Sequence, residues 1–270
     1  MTKIVFVGAG AMAEAIINGL TKQEKISSEN IHVMNKSDVE QLQQLKKTYK
    51  VEIVCKEKKA LCEANIVVLA MKPKDAKDAM TDIAPFLNKD ATIISVIAGV
   101  TIQTISNYLG RRPIARVMPN TSAAVGLSAS AVSWNEHVSD KEKLLIIDIL
   151  NSIGTVKAVN EEDLHVVTAL SGSGPAYFYY FAEQFEAAAI QHGLEKSDAR
   201  QLFIQTMEGA AQMMKKGDFE PEELRRRVTS PGGTTEAGLE KLIQHNVGDA
   251  IFACIDAAQN KSRVLGKQYE

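Results

Sequence analysis

The sequence predicts an α/β chain: a mostly parallel sheet with crossover helices over residues 1–160, then an all-α segment over residues 161–270. Three observations predict it. Short apolar runs alternate with amphipathic stretches up to Asn160, strand signals stop there, and long helical patterns fill the remainder. The 270 residues, 45% hydrophobic and 24% charged, suffice for a large buried core.

The runs Ile4–Val7, Ile31–Met34, Ile66–Met71, Ala91–Ile97 and Pro113–Met118 read as strands. They are apolar throughout rather than alternating, as expected of strands covered on both faces. The first intervening helix carries Met12, Ala15, Ile16, Gly19 and Leu20 on one stripe. Strand–helix–strand repetition implies right-handed crossovers and parallel pairing. Gly154 and Asn160-Glu161-Glu162 mark the expected boundary. Beyond it, helices are predicted over Ala176–Gln191, Asp198–Lys216 and Thr235–Val264. Their apolar faces are broad and carry few charges, which predicts a homo-oligomer built through this half. Met207, Met213 and Met214 read as packing residues.

Composition excludes several classes. A net charge of −2 and a pI near 6.3 leave no concentrated excess of Lys and Arg for nucleic acid. The basic run Arg225-Arg226-Arg227 follows Glu220, Glu222 and Glu223 and reads as a solvated helix face. Cys55, Cys62 and Cys254 are scattered, and the five histidines form no HxxxH pair, so neither a disulfide framework nor a metal site is predicted. No apolar run is long enough to span a bilayer. Lys3 leads straight into the first strand without a secretory pattern, and a cytoplasmic location is expected.

Gly8-Ala9-Gly10-Ala11-Met12-Ala13 has the form G-x-G-x-x-A between a strand and a helix. Gly8 permits a tight turn, Gly10 lets backbone approach a pyrophosphate, and Ala13 allows close helix–strand packing. The helix start supplies free N–H groups and positive dipole. The first half is therefore expected to be a Rossmann-type dinucleotide-binding domain. A site specific for NAD usually places an acid at the end of the second strand. Here Asn35-Lys36-Ser37 stands at that position, and Asp38 suits a helix cap. An amide, an ammonium and a hydroxyl suit a 2′-phosphate, so NADP(H) is expected to be preferred over NAD(H).

Met71-Lys72-Pro73 and Met118-Pro119-Asn120-Thr121 end later strands, on the side of an open sheet where ligands bind. Lys72 is placed for phosphate or ribose and Asn120 for a carboxamide; each also reads as ordinary loop. In the helical half, Ser171-Gly172-Ser173-Gly174-Pro175-Ala176-Tyr177 reads either as a kink or as a close backbone approach to a ligand. Ser230-Pro231-Gly232-Gly233-Thr234-Thr235 feeds a helix whose first amides, of Gly233, Thr234 and Thr235, are free for a small carboxylate. Capping by Thr234 is the bland alternative.

Together, GAGAMAEAI at Gly8–Ile16, MKP at Met71–Pro73, MPNTS at Met118–Ser122, LSGSGPAYFY at Leu170–Tyr179 and VTSPGGTTEAGL at Val228–Leu239 resemble pyrroline-5-carboxylate reductases over nearly the whole chain. Ser122 departs from the family, which usually has a second proline there. The resemblance implies an all-α C-terminal dimerisation domain and reduction of the C=N bond of 1-pyrroline-5-carboxylate to L-proline. It also implies a homodimer through interleaved C-terminal helices, often assembled as a pentamer of dimers. Carried over, Gly8, Ala9, Gly10, Ala11 and Met12, with Asn35–Ser37, Met71–Pro73 and Asn120, hold the coenzyme. The amides of Gly233, Thr234 and Thr235 hold the substrate carboxylate, with Gly232 also at the substrate and the Thr235 hydroxyl donating to the ring nitrogen. Ser173, Gly174, Pro175 and Tyr177 line the substrate pocket, with Tyr177 either packing or donating a proton. A protonated cyclic imine is already electrophilic, so alignment matters more than a strong base. Two other readings stay open: a reductase of the 3-hydroxyacid dehydrogenase type, which uses a lysine on a C-terminal helix, and a non-enzymatic NADP(H) sensor.

Overall fold

The computed structural model describes residues 2–54 and 58–268, so Cys55 lies outside the described residues. Two compact units emerge, Met1–Ser173 with Ala258–Glu270, and Gly174–Ala257.

The first unit is a sheet of β1 (Ile4–Val7), β2 (Ile31–Met34), β3 (Glu52–Ile53), β4 (Ile66–Leu69), β5 (Thr92–Ser95), β6 (Ile114–Met118), β7 (Ser128–Trp134) and β8 (Gly154–Ala158). Its order is β3-β2-β1-β4-β5-β6-β7-β8. All neighbours run parallel except β7 against β6. The order reverses between β1 and β4, the place where open α/β sheets bind ligands. The helices of this unit are α1 (Ala11–Lys22), α2 (Val39–Tyr49), α3 (Lys59–Cys62), α4 (Ala76–Ile83), α5 (Ile102–Leu109), α6 (Asp140–Asn151) and α7 (Leu164–Val167).

Strand alternation feeds two cores. Ile4 and Phe6 point toward Ile16, Leu20, Leu45 and Ile149, while Val5 and Val7 join Met80, Ile83 and Ile105. Burial on both faces explains why these strands read as continuous apolar runs. The strands β3, β7 and β8 were not expected. Ser128-Ala129-Ser130-Ala131 is rich in small hydroxyl residues, and its buried hydroxyls satisfy each other, Ser128 Oγ lying 3.0 Å from Ser130 Oγ. Gly154, expected at a boundary, opens β8 instead. A Cβ there would lie 2.1 Å from the Ser128 carbonyl oxygen, so only glycine permits this pairing. Asp38 caps α2 as expected, accepting the Gln41 N–H at 2.9 Å.

Arg116 on β6 is almost wholly buried and pairs with Glu161 at 3.0 Å. The same carboxylate oxygen accepts the Ile102 N–H at the start of α5, at 2.8 Å. Glu161→Gln leaves a buried cation without its counter-charge. We expect chemical denaturation to show a loss of about 3 kcal/mol, near the lower bound for such pairs because Glu161 is 32% exposed.

His165 is buried, with Nδ1 2.9 Å from the Ser262 hydroxyl. Burial, and next the Arg116 charge, push its pKa below the ordinary 6.5; Arg263 acts with Arg116, and Glu162 and Glu161 oppose them. Burial lowers His32 in the same way. A lowered histidine pKa means the unfolded chain takes up the proton first, so stability is complete above about pH 6.5 and falls below it. Melting temperature should drop between pH 6.5 and 5, and drop less in His165→Gln. An identical profile in that variant would remove His165 as a source.

The second unit holds α8 (Gly174–Gln191), α9 (Lys196–Lys215), α10 (Pro221–Arg227), α11 (Thr234–Gln244) and the first part of α12 (Val247–Lys267). The single final helix expected over Thr235–Val264 is two helices. Asn246 between them adopts φ 55°, a left-handed conformation that asparagine tolerates and that ends α11. Phe185 stacks on Phe203 at 4.8 Å, and Arg200 grips Glu186 with two bonds of 2.9 and 3.0 Å, joining α8 to α9. Among the described residues of this unit only Gly174 and Ala199 are buried. Phe178, Leu202, Ile243 and Phe252 are each more than half exposed. Such a unit has no core of its own in a single chain, as the broad apolar faces predicted.

Candidate coenzyme and substrate site

At the carboxyl end of β1 the chain turns at Gly8, with φ 107°. A Cβ on Gly8 would sit 2.6 Å from the Ala70 backbone, so the turn is packed against the loop after β4. Gly10 differs: it occupies the cap position of α1 without a side-chain cap, and a Cβ there would meet nothing within 4 Å. The amides of Ala11 and Met12 in the first turn have no intrahelical acceptor. Open space in front of free amides at a helix start fits a pyrophosphate.

Beside this turn lies a cavity of about 490 Å³ lined by Val7, Gly8, Met34, Asn35, Lys36 and Ser37, with Lys58 and the α4 face on the far side. The structure thus brings Gly8 together with Asn35–Ser37, and packs Met71 beside Gly8. Lys36 and Lys72 are exposed. The sequence reading missed Lys58, Asp75, Asp78 and Asp82 in the cavity wall. The three acids repeat at helical spacing, the one signal available for them. Lys58 neutralises Asp82 at 2.6 Å and lies 4.9 Å over the Phe86 ring. Lys36 therefore stands as the cation on the strand side of the cavity.

One N–H of the Asn120 amide donates to the Ser171 carbonyl at 3.0 Å and its oxygen accepts the Ser122 N–H at 3.1 Å, which leaves its second N–H for a ligand.

A π-helical turn, Thr168–Gly172, precedes α8, which opens at Gly174 and Pro175, two residues before the expected start at Ala176. Tyr177 stands in the first turn of α8, half-buried. At α11 the cap is Gly233, not Thr234, and no side chain caps it. The Gly233 N–H is bonded to the Ser230 carbonyl at 3.0 Å, so it is not free as expected; the Gly232 N–H donates to the Glu236 carboxylate at 2.7 Å. The amides of Thr234 and Thr235, in the first turn, keep no helical acceptor.

The family model described as pyrroline-5-carboxylate reductase dimerisation matches residues 161–265, and one described as NADP oxidoreductase, coenzyme F420-dependent, matches residues 3–99. Pyrroline-5-carboxylate reductase 2 of Bacillus subtilis is 43% identical over 100% of this chain and 97% of its own length. The chain belongs to the pyrroline-5-carboxylate reductase family. A crystal structure of a pyrroline-5-carboxylate reductase from Coxiella burnetii superposes with a TM-score of 0.92 at 34% identity, covering 98% of each chain. That of Plasmodium falciparum pyrroline carboxylate reductase, with NADP bound, gives 0.88 at 30% identity over 98% of each. In this pyrroline-5-carboxylate reductase family member, Ser122 sits in a 3-10 turn, Thr121–Val125, capped by Asn120. No proline is needed to shape that loop. Among the described residues no helix is long and apolar enough to cross a membrane.

Proposed function

We propose that the chain reduces the C=N bond of 1-pyrroline-5-carboxylate to give L-proline, with NADP(H) as preferred coenzyme and NAD(H) accepted. The observation that carries the reading is a pair of helix starts with free amides, one at α1 beside a nucleotide-sized cavity and one at α11 behind two glycines. The first suits a pyrophosphate and the second a small carboxylate. When bound, the reduced nicotinamide supplies the hydride.

The chain's own residues bind and orient. The Gly8–Met12 turn holds the pyrophosphate, Asn35, Lys36 and Ser37 hold the 2′-phosphate, and Met71, Lys72 and Pro73 flank the coenzyme. The Thr234 and Thr235 amides take the substrate carboxylate, and the α11 dipole favours its charge. Gly232 and Gly233 leave room for it to approach. The ring nitrogen of the protonated imine already carries the proton the amine needs, and the Thr235 hydroxyl donates a hydrogen bond to the lone pair that develops there as hydride adds to carbon. Ser173, Gly174, Pro175 and Tyr177 line the substrate pocket, with Tyr177 in a packing role. The exposed apolar faces of the second unit are covered by a second copy in a homodimer, and the dimers assemble in fives.

Incubation with 1-pyrroline-5-carboxylate and NADPH should yield L-proline by chromatography, in amounts equal to the NADPH consumed; consumption without proline would overturn the reading. Lys36→Glu should weaken NADPH binding about tenfold or more while changing NADH little, since it exchanges an attraction for a repulsion at the 2′-phosphate alone. Equal effects on both coenzymes would remove Lys36 from the phosphate site.

A further inference from the structure

In an α-helix the carbonyl of residue i accepts the N–H of residue i+4. For Ser171 that partner is Pro175, which has no N–H. The side chain of Asn120, from the loop after β6, meets this carbonyl instead, with its amide nitrogen at 3.0 Å. Asn120 is only 8% exposed and is held at three points. Besides the Ser171 bond, its oxygen accepts the Ser122 N–H, and its own N–H donates to Ser128 Oγ at 3.1 Å. The Ser128 hydroxyl is fixed in turn by Ser130. The segment it reaches is a π-helical turn, closed by the Ser173 N–H on the Thr168 carbonyl at 2.8 Å.

We propose that Asn120 is a positioning residue for the reduction. It supplies the hydrogen bond that Pro175 cannot, and so holds Ser171–Ser173 in the conformation from which Ser173 meets the substrate. This rests on the pyrroline-5-carboxylate reductase reading. Asn120 acts through the Ser171 carbonyl, and coenzyme affinity does not depend on it. The pairing also gives the proline a consequence: with an N–H at position 175, the Ser171 carbonyl has a donor of its own, and Asn120 matters less.

The test is a double-mutant cycle in the full-length chain, Asn120→Ala and Pro175→Ala singly and together, with Asn120→Asp alongside. Asp keeps the acceptor for Ser122 and loses the donor to Ser171. The expected result is a fall in kcat/KM of about a hundredfold for Asn120→Ala in the native background and about tenfold or less in the Pro175→Ala background, the scale of a misplacement near 1 Å. NADPH affinity, read by fluorescence, stays within about threefold in each. Amide exchange at Gly172 and Ser173 accelerates in Asn120→Ala and recovers in the double variant. A parallel loss of NADPH affinity, equal penalties in both backgrounds, or failure of every Asn120 variant to fold would overturn the proposal. Native protein run alongside separates the two ideas. If it lacks activity, the functional reading fails, while the exchange data still test the Asn120–Pro175 coupling.

Discussion

Thr235→Ala should lower turnover about a hundredfold while NADPH binds as before, the scale expected for losing one positioned hydrogen-bond donor where charge shifts in the transition state. The expectation follows from where Thr235 stands. It is the second residue of α11, behind a cap that has no side chain of its own. Alanine keeps the backbone amide, and it favours helix, so the carboxylate site survives the substitution. What is lost is the hydroxyl proposed to lie beside the ring nitrogen, whose interaction strengthens as that nitrogen becomes an amine. The loss should therefore fall on kcat more than on KM. Thr235→Ser, which keeps the hydroxyl, should recover most of the rate. Steady-state kinetics on the three proteins checks this, and an unchanged kcat in Thr235→Ala removes the residue from the mechanism.

The second large effect separates two glycines two residues apart in one motif. At Gly10, φ −77° and ψ 178° suit any residue, and a Cβ would meet no protein atom within 4 Å. Gly10→Val should therefore fold with stability within about 0.5 kcal/mol of native. It should nevertheless bind NADPH about a hundredfold more weakly, because the side chain fills the space the pyrophosphate needs. Gly8→Ala should do the reverse in order: its Cβ would press within 2.6 Å of the Ala70 backbone at a φ of 107°. That strain should cost about 3 kcal/mol before any ligand is considered. Thermal melting with and without NADPH distinguishes the cases. Native NADPH affinity in Gly10→Val would contradict the assignment of the turn.

Much of this was legible in the residues, for identifiable reasons. The apolar runs of β1, β2, β4, β5 and β6 announce themselves because both faces of the sheet are covered. The Gly8–Ala13 pattern is legible because each small residue answers a separate steric demand. Asp38 could be placed as a cap from its position alone. The serine-rich β7 was hidden because its buried hydroxyls satisfy one another, a pairing that no local pattern encodes. The break at Asn246 was hidden because a single left-handed residue interrupts an apolar stripe that continues on both sides. The engagement of Asn120 with Ser171 joins residues 51 apart in sequence, and only the fold brings them together. The bond closing Gly233 onto Ser230 narrows the expected three free amides at α11 to those of Thr234 and Thr235 within the Gly233–Thr235 segment.

The proposed reaction is the reduction of a carboxylate-bearing cyclic imine by NADPH. It is tested most directly by following NADPH absorbance with and without 1-pyrroline-5-carboxylate, with NADH in parallel. Oxidation should depend on the imine and be faster with NADPH at low coenzyme concentration. No oxidation with either coenzyme, from folded protein that binds NADPH, would contradict it.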